Sequence, residues 1–286
     1  MNQSISLIEC PRDAMQGLHD FIPTNFKADY INQLLKVGFD TIDFGSFVSP
    51  KAIPQLRDTA EVLNMLNLND KHSKLLAIIA NTRGAADACH FEEIDFLGFP
   101  FSISETFQMR NTNSSIQESL IRVDEIQNLC VKHNKKLVIY ISMAFGNPYG
   151  DAWNGDIAIE YTTQLHQKGI RIFAMSDTIG SSNHENITDL FSKVIPAFKD
   201  CEIGAHLHST PETRTEKIDA AFRAGCRRFD AAIHGIGGCP MAKDELTGNL
   251  ATESVIDYFN SQKINLGLNQ HELDAAYEKA SLVFKQ

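Results

Sequence analysis

Short apolar runs alternate with longer amphipathic segments along the chain. The short runs predict buried strands, and the longer ones predict helices with one apolar face. The predicted strands are Ile5–Glu9, Thr41–Phe44, Leu75–Ala80, Glu93–Phe96, Lys136–Ile141, Arg171–Met175, Glu202–Ala205 and Arg228–Ala232. The predicted helices are Ala28–Val37, Lys51–Leu66, Arg83–Cys89, Ser115–His133, Ile157–Lys168, Ile187–Phe198, Glu212–Ala224, Thr252–Ser261 and Gln270–Phe284.

The alternation of strands and helices predicts the fold class. Alternating βα units are typical of a parallel sheet. Eight such units in 286 residues favour an α/β (β/α)8 TIM barrel with additional C-terminal helices. An open doubly wound sheet is the alternative, but no glycine fingerprint follows the first strand. No Pro- or Gly-rich linker divides the units, so we expect residues 1–286 to form a single TIM-barrel catalytic domain.

Composition and charge narrow the possible partners. The net charge of −10 argues against a nucleic-acid-binding surface. No stretch approaches the roughly 18 consecutive apolar residues of a membrane span, and Met1–Leu7 does not resemble a signal peptide. The 6 cysteines form no CxxC pair, which is typical of reduced thiols. We therefore expect a cytoplasmic protein with a small-molecule substrate.

Polar residues follow nearly every predicted strand. In a TIM barrel these positions lie at the carboxyl ends of the strands, where active sites form. A purely structural barrel does not need this arrangement. The residues are Arg12, Asp13, Asp43, Ser46, Asn81, Ser142, Ser176, Asp177, His206, His208 and His234.

His206 and His208 indicate a metal site. Residues two apart on a strand project from the same face, and two neighbouring imidazoles repel each other when protonated. A shared metal ion is a natural reason for such a pair; the alternative is two coincidental histidines on a half-exposed strand end. Asp13 supports the metal, and the absence of a thiolate cluster argues against structural zinc. Mg²⁺, Mn²⁺ or Co²⁺ fit this donor set, and zinc is possible.

Four further residues have two interpretations each. Arg12 either forms a minor surface ion pair with Asp13 or stabilises an enolate oxygen. Asp43 is either a helix cap or a base, and Asp177 either caps a turn or lines the site. Cys239, which lies between Gly238 and Pro240, is either an inert loop cysteine or a proton-transfer group on a flexible loop.

Several short segments spread through the chain together form a recognisable pattern. They are Pro11–Asp13, Ser46–Lys51, Ser104–Glu105 with Asn111 and Asn113, Asp177–Gly180, His206-x-His208, Gly237–Pro240 and Gly248–Glu253. In these segments and their order the chain resembles the 3-hydroxy-3-methylglutaryl-CoA lyase family of the DRE-TIM metallolyase superfamily. The Claisen-type synthases of that superfamily usually carry a different sequence in place of Gly237–Pro240, so this loop favours a lyase.

The resemblance implies an activity and a set of roles. Family members cleave 3-hydroxy-3-methylglutaryl-CoA to acetyl-CoA and acetoacetate, a step of leucine degradation, and are commonly dimers. By resemblance, Arg12 stabilises the acetyl-CoA enolate and Cys239 acts in proton transfer. The implied ligands of a divalent metal cation, Mg²⁺ or Mn²⁺, are Asp13, His206, His208 and Asn249. The implied residues lining the site are Asp43, Asp177, Ser46, Asn81 and Ser142.

The chain departs from the family pattern at three places. Ile8 stands where the family usually has a glutamate, and Glu9 lies one residue later. Ser209 stands where an aspartate usually follows the second histidine, and the loop from Cys239 to Asn249 is one residue longer. These departures leave open a lyase for another branched 3-hydroxyacyl-CoA, a Claisen-type synthase that joins an acyl-CoA to a 2-oxo acid, and a binding barrel without catalysis.

Overall fold

In the computed structural model, which describes residues 4–69, 72–238 and 247–284, the chain folds into a closed parallel β-barrel. The strands follow one another around the barrel in sequence order, and the last pairs with the first. The TIM-barrel prediction is confirmed, and the open-sheet alternative is wrong. The strands are β1 (Ser6–Glu9), β2 (Thr41–Ser46), β3 (Lys74–Ile78), β4 (Phe96–Ser102), β5 (Lys136–Ser142), β6 (Ile172–Asp177), β7 (Glu202–Leu207) and β8 (Arg228–Ala231).

Helices surround the barrel, and the additional C-terminal helices are present. The last helix packs against the second, and the one before it packs against the ninth. Two short 3-10 helices span Pro54–Leu56 and Ile233–Gly235. The α-helices are α1 (Pro11–Gln16), α2 (Thr24–Val37), α3 (Thr59–Asn64), α4 (Thr82–Ala88), α5 (Glu105–Thr112), α6 (Ile116–Lys132), α7 (Gly155–Gln167), α8 (His184–Ala197), α9 (Arg214–Arg223), α10 (Thr252–Ser261) and α11 (Gln270–Val283). None of the helices within the described ranges is long and apolar enough to cross a membrane.

The apolar core has two layers because strand side chains alternate between faces. The outer layer lies between the strands and the helices and includes Leu75 and Ala77. A separate buried cluster, to which Leu76 and Tyr140 belong, fills the barrel interior. Gly98 makes that interior packing possible, since a Cβ there would lie 2.5 Å from Ile78 Cδ1.

Strand β4 lies later in the chain than predicted. The expected Glu93–Phe96 overlaps the observed Phe96–Ser102 only at Phe96. Neither Gly98 nor Pro100 interrupts the pairing of β4 with β5. The carbonyl of Gly98 accepts a hydrogen bond from Ile79 N on the β3 side, where pairing ends at Gly98. Pro100 lies two residues beyond the end of the β3–β4 pairing, so its lack of a backbone N–H removes no hydrogen bond from that ladder.

The predicted helix Lys51–Leu66 is wrong in its first half. The segment forms a 3-10 turn at Pro54–Leu56 and then α3. The break follows from tertiary contacts, because Thr59 Oγ1 accepts a hydrogen bond from Ser46 N and donates one to Leu56 O. Helices α1 and α5 were also absent from the sequence prediction.

Candidate active site

A cavity of about 450 Å³ opens at the carboxyl ends of the strands. Its wall combines polar groups with apolar side chains such as Val48 and Phe107. The barrel topology brings the polar groups together, because they lie at the carboxyl ends of several different strands. The predicted site residues that line the cavity are Arg12, Asp13, Ser46, Asn81, Ser142, His206 and His208.

Asp13, His206 and His208 form a buried cluster on this wall. Their potential ligand atoms lie within 4.8 Å of one another. Asp13 is in the first turn of α1, which begins with a proline directly after β1. Asn249 joins the cluster, since its Nδ2 donates to Asp13 Oδ2 over 2.8 Å. A 180° rotation of this amide would direct its oxygen to the same place.

The electrostatics of the cluster suit a cation. Burial raises the pKa of Asp13, but Arg12 and the two histidines outweigh this and lower it to about 2. Burial and the neighbouring His206 lower the pKa of His208 to about 4. At neutral pH the structure therefore offers a carboxylate and an uncharged imidazole. Both ring nitrogens of His208 are buried and lack a hydrogen-bond partner among the described residues.

His206 differs from its neighbour because it has a carboxylate partner. Its Nδ1 lies 3.3 Å from Asp230 Oδ2. Burial disfavours the charged ring, but the hydrogen bond and charge of Asp230 raise the pKa of His206 above its ordinary value. A metal ion bound here would displace a proton from the ring.

Arg12 is held between two carboxylates. Its Nη1 donates to Asp13 Oδ1 over 2.7 Å, and its Nε donates to Asp43 Oδ2 over 2.9 Å. Burial favours the neutral form, but Asp43 and Asp13 raise the pKa of Arg12 further above its ordinary range. Arg12 is only 6% exposed, so the interpretation as a surface ion pair is wrong. It presents a fixed positive charge to the cavity.

Asp43 and Asp177 do not line the cavity in the described part of the chain. Asp43 is fully buried behind Arg12, and burial raises its pKa to about 6 although Arg12 opposes the shift. Asp177 Oδ2 accepts from Ser182 N over 3.0 Å and pairs with Lys217 Nζ at 3.0 Å. Asp43 therefore contacts the cavity-lining Arg12, whereas Asp177 contacts Ser182 and Lys217, which are not among the described residues that line the cavity.

The other residues that the resemblance implies for the lining of the site are Asn81, Ser46 and Ser142, and all of them line the cavity. Asn81 caps α4 by accepting from Gly84 N over 2.9 Å. Ser46 Oγ accepts from Val48 N over 3.3 Å. Ser142 ends β5 at the cavity wall. Cys239, predicted for proton transfer, lies outside the described residues.

Glu9 lies outside the site, and β1 pairs with β8 without a bulge. Its carboxylate accepts from Ile233 N over 2.9 Å and from Thr252 Oγ1 over 2.6 Å. Glu9 shares a strand face with Leu7, which belongs to the outer core, whereas Ile8 points to the other face. Glu9 therefore does not take the place of the glutamate that the family usually has at the position of Ile8.

Several residues that support the cluster are not part of any motif predicted from the sequence. Gln16 donates to Asp13 Oδ1 over 2.7 Å. Lys217 Nζ donates to the carbonyl of His208 over 2.7 Å. The sequence does carry one signal for Lys217: a charged residue stands next to Ile218 on the side of α9 that is buried. The signal for Asp230 is similar, because this acidic residue stands between Phe229 and Ala231 in the buried strand β8.

The HMGL-like family model matches residues 6–279. The chain belongs to the HMGL-like family. Among its curated relatives, the cytoplasmic 3-hydroxy-3-methylglutaryl-CoA lyase of Rattus norvegicus is 30% identical over 265 residues, which are 92% of this chain and 76% of the relative. A hydroxymethylglutaryl-CoA lyase of Bacillus subtilis is 31% identical over 93% of this chain and 88% of its own.

Solved structures of the HMGL-like family share this fold along the whole chain. An HMG-CoA lyase from Acinetobacter baumannii, in complex with coenzyme A and 3-methylmalate, matches with a TM-score of 0.92 and 28% identity. The match covers 100% of this chain and 93% of that one. The lyase from Pseudomonas aeruginosa matches with a TM-score of 0.91 and 29% identity, covering 100% and 95% of the two chains.

Proposed function

We propose that the chain is a divalent-metal-dependent lyase that cleaves 3-hydroxy-3-methylglutaryl-CoA to acetyl-CoA and acetoacetate. One observation carries the proposal: the Asp13–His206–His208 cluster lies beside the fixed guanidinium of Arg12 on one cavity. The lyase names of its HMGL-like relatives, and the coenzyme A bound by the Acinetobacter baumannii enzyme, support the substrate.

The donor set fits a metal ion. An anionic carboxylate and imidazole nitrogens are suitable ligands for a divalent metal. The two ring nitrogens of His208 are buried and have no hydrogen-bond partner among the described residues. We propose that Mg²⁺ or Mn²⁺ is held by Asp13, His206, His208 and the amide oxygen of Asn249. When bound, the ion acidifies the tertiary hydroxyl of the substrate and neutralises its carboxylate.

Arg12 stabilises the negative charge that develops as the substrate breaks. Cleavage of the C2–C3 bond leaves its electron pair on a thioester enolate, whose oxygen needs a positive donor. Asp43 and Asp13 hold the guanidinium in one orientation, so it is ready before the reaction begins. Asp43 is thus a positioning residue for Arg12.

The remaining roles concern substrate binding and protons. Ser46, Asn81 and Ser142 bind the acyl part of the substrate from the cavity wall. Asp177 supports the loop that follows β6 through its bonds to Ser182. Cys239 protonates C2 of the enolate to give acetyl-CoA, in keeping with the resemblance of its loop to that of the lyases.

The resemblance to the lyases also supports proposals for the domain organisation, the oligomeric state and the location of the protein. Residues 1–286 act as a single catalytic domain, because the helices and strands of the described ranges belong to the barrel or surround it. A homodimer in leucine degradation is the expected biological context. The cytoplasm is the proposed location and the rat relative is named cytoplasmic, although the relative of Arabidopsis thaliana is named mitochondrial.

The test is an acetoacetate assay with 3-hydroxy-3-methylglutaryl-CoA. The enzyme is stripped with a chelator and then resupplied with Mg²⁺ or Mn²⁺, and acetoacetate is measured by coupled oxidation of NADH. We expect turnover that requires added metal.

Two outcomes contradict different parts of the proposal. Full activity in the stripped enzyme would refute the metal role. Metal binding without acetoacetate would refute the substrate assignment, and other branched 3-hydroxyacyl-CoA esters would then be assayed.

A further inference from the structure

A column of buried charges runs through the barrel interior below His206. His206 Nδ1 lies 3.3 Å from Asp230 Oδ2, and Arg228 Nε lies 3.5 Å from Asp230 Oδ1. Arg228 Nη1 continues to Glu202 Oε1 at 2.8 Å. The Asp230 side chain is 0% exposed and that of Arg228 3%, whereas that of Glu202 is 47% exposed. We call His206, Asp230, Arg228 and Glu202 the charge column.

Two neighbouring strands build the charge column through their register. His206 of β7 pairs with Asp230 of β8, and Gly204 pairs with Arg228. Because side chains two residues apart share a face, Asp230 and Arg228 both point the same way as His206. Gly204 provides the space for the arginine, since a Cβ there would lie 2.7 Å from Arg228 Cδ.

A contribution to the stability of the fold does not explain the charge column. Much of the barrel interior is instead filled by apolar side chains, such as Leu76, Val138 and Ile172. A buried ion pair often stabilises a fold no more than apolar residues of the same volume, so its presence here calls for another reason. The column ends at the ring of His206, which also belongs to the cluster with Asp13.

The contact with Asp230 determines which nitrogen of His206 faces the cluster. A carboxylate only accepts hydrogen bonds, so Nδ1 carries a proton and Nε2 is the nitrogen that can offer a lone pair to a metal. Tyr140 packs edge-on against the ring, with the two centroids 5.4 Å apart, and restricts its rotation. Both contacts leave Nε2 as the nitrogen available to a metal.

We propose that Asp230 is a positioning residue for the metal site, holding His206 with Nε2 directed at the ion. Arg228 balances the charge of Asp230 in the barrel interior, and Glu202 anchors Arg228 at the rim. A carboxylate on the far nitrogen fixes a histidine's tautomer and makes it a stronger ligand. This inference rests on the metal site proposed above, although not on its substrate.

The test measures metal affinity rather than activity. Mn²⁺ is titrated into metal-free wild type, Asp230→Asn and Asp230→Ala, and free Mn²⁺ is followed by electron paramagnetic resonance. We expect Asp230→Ala to bind Mn²⁺ about 10–100-fold more weakly. Asp230→Asn should lie between, because its amide oxygen still accepts from Nδ1 but carries no charge. The visible spectrum of bound Co²⁺ should change in the same order.

Asp58→Asn is the matched control. Asp58 is also a buried carboxylate, paired with Lys27 at 2.7 Å, and neither residue belongs to the cluster. This variant should lose thermal stability without losing Mn²⁺ affinity. Melting temperatures of the metal-free proteins separate the two effects.

The outcomes distinguish this inference from the proposed function. Wild type that binds no Mn²⁺ would overturn the metal site itself. Wild-type binding together with a Kd for Asp230→Ala within about twofold of it would overturn only the role of Asp230, because the expected loss is at least about tenfold.

A measurement on the unaltered chain covers the case in which the variants do not fold. In the Zn²⁺-loaded protein, ¹⁵N–¹H correlation of the histidine rings should show His206 protonated at Nδ1 and metal-bound at Nε2. Cross-peaks to the ring protons of Tyr140, whose centroid lies 5.4 Å from that of His206, identify the His206 signals. The opposite tautomer would overturn the inference.

Discussion

Replacement of Lys217 by methionine tests the support beneath the candidate site. The ammonium group bonds to Asp177 Oδ2 at 3.0 Å, Gly180 O at 3.1 Å and His208 O at 2.7 Å. The side chains of Lys217 and Asp177 are 3% and 1% exposed, so water does not replace the lost partner. Removing one member of a buried pair costs about 3–5 kcal/mol because the other charge is left uncompensated. We expect that loss in the free energy of unfolding of Lys217→Met.

Urea unfolding in the presence of chelator measures this loss without a contribution from metal binding. Lys279→Met is the control, since Lys279 pairs with Asp29 at 2.6 Å but the two side chains are 31% and 68% exposed. It should lose less than about 1 kcal/mol. Adding Asp177→Asn to Lys217→Met should recover about 1–3 kcal/mol, the size of coupling between contacting residues. A loss in Lys217→Met as small as that of the control would refute the reasoning.

Three further predictions concern the cavity and one buried acid. Arg12→Gln should lower kcat about 10²–10³-fold even at saturating Mn²⁺, whereas the surface variant Arg223→Gln should keep its rate; equal rates would contradict the role of Arg12. His208→Ala should weaken Mn²⁺ binding at least about 100-fold in the same titration, because it removes a ligand; an unchanged Kd would exclude it from the site. Burial raises the pKa of Glu9 from 4.5 to about 8, so its contribution to stability is full below pH 4.5 and declines as the pH rises towards 8. Glu9→Gln should therefore flatten the dependence of unfolding free energy on pH over that interval, and a parallel curve would show that Glu9 does not titrate there.

The identity and order of the elements could be predicted because their signals are local. Periodicity separates strands from helices, and Gly38, Gly169 and Gly225 mark helix ends with φ values of 98°, 90° and 104°. The local signal failed where distant residues decide the conformation. At Gly98, a neighbouring side chain occupies the place of a Cβ, and at Thr59 a hydrogen bond from Ser46 interrupts the expected helix.

The candidate site shows the same difference between local signals and contacts of distant residues. The sequence by itself determined several of the polar groups that meet, since a parallel barrel brings every strand's carboxyl end to one face, and Arg12, Asp13 and His208 all line the cavity there. Only the tertiary structure decided what holds them. The contact of Asp230 with His206 depends on the register between β7 and β8, and that of Lys217 with Asp177 depends on how α9 packs. Such contacts join residues far apart in the chain, whereas periodicity reports only on near neighbours.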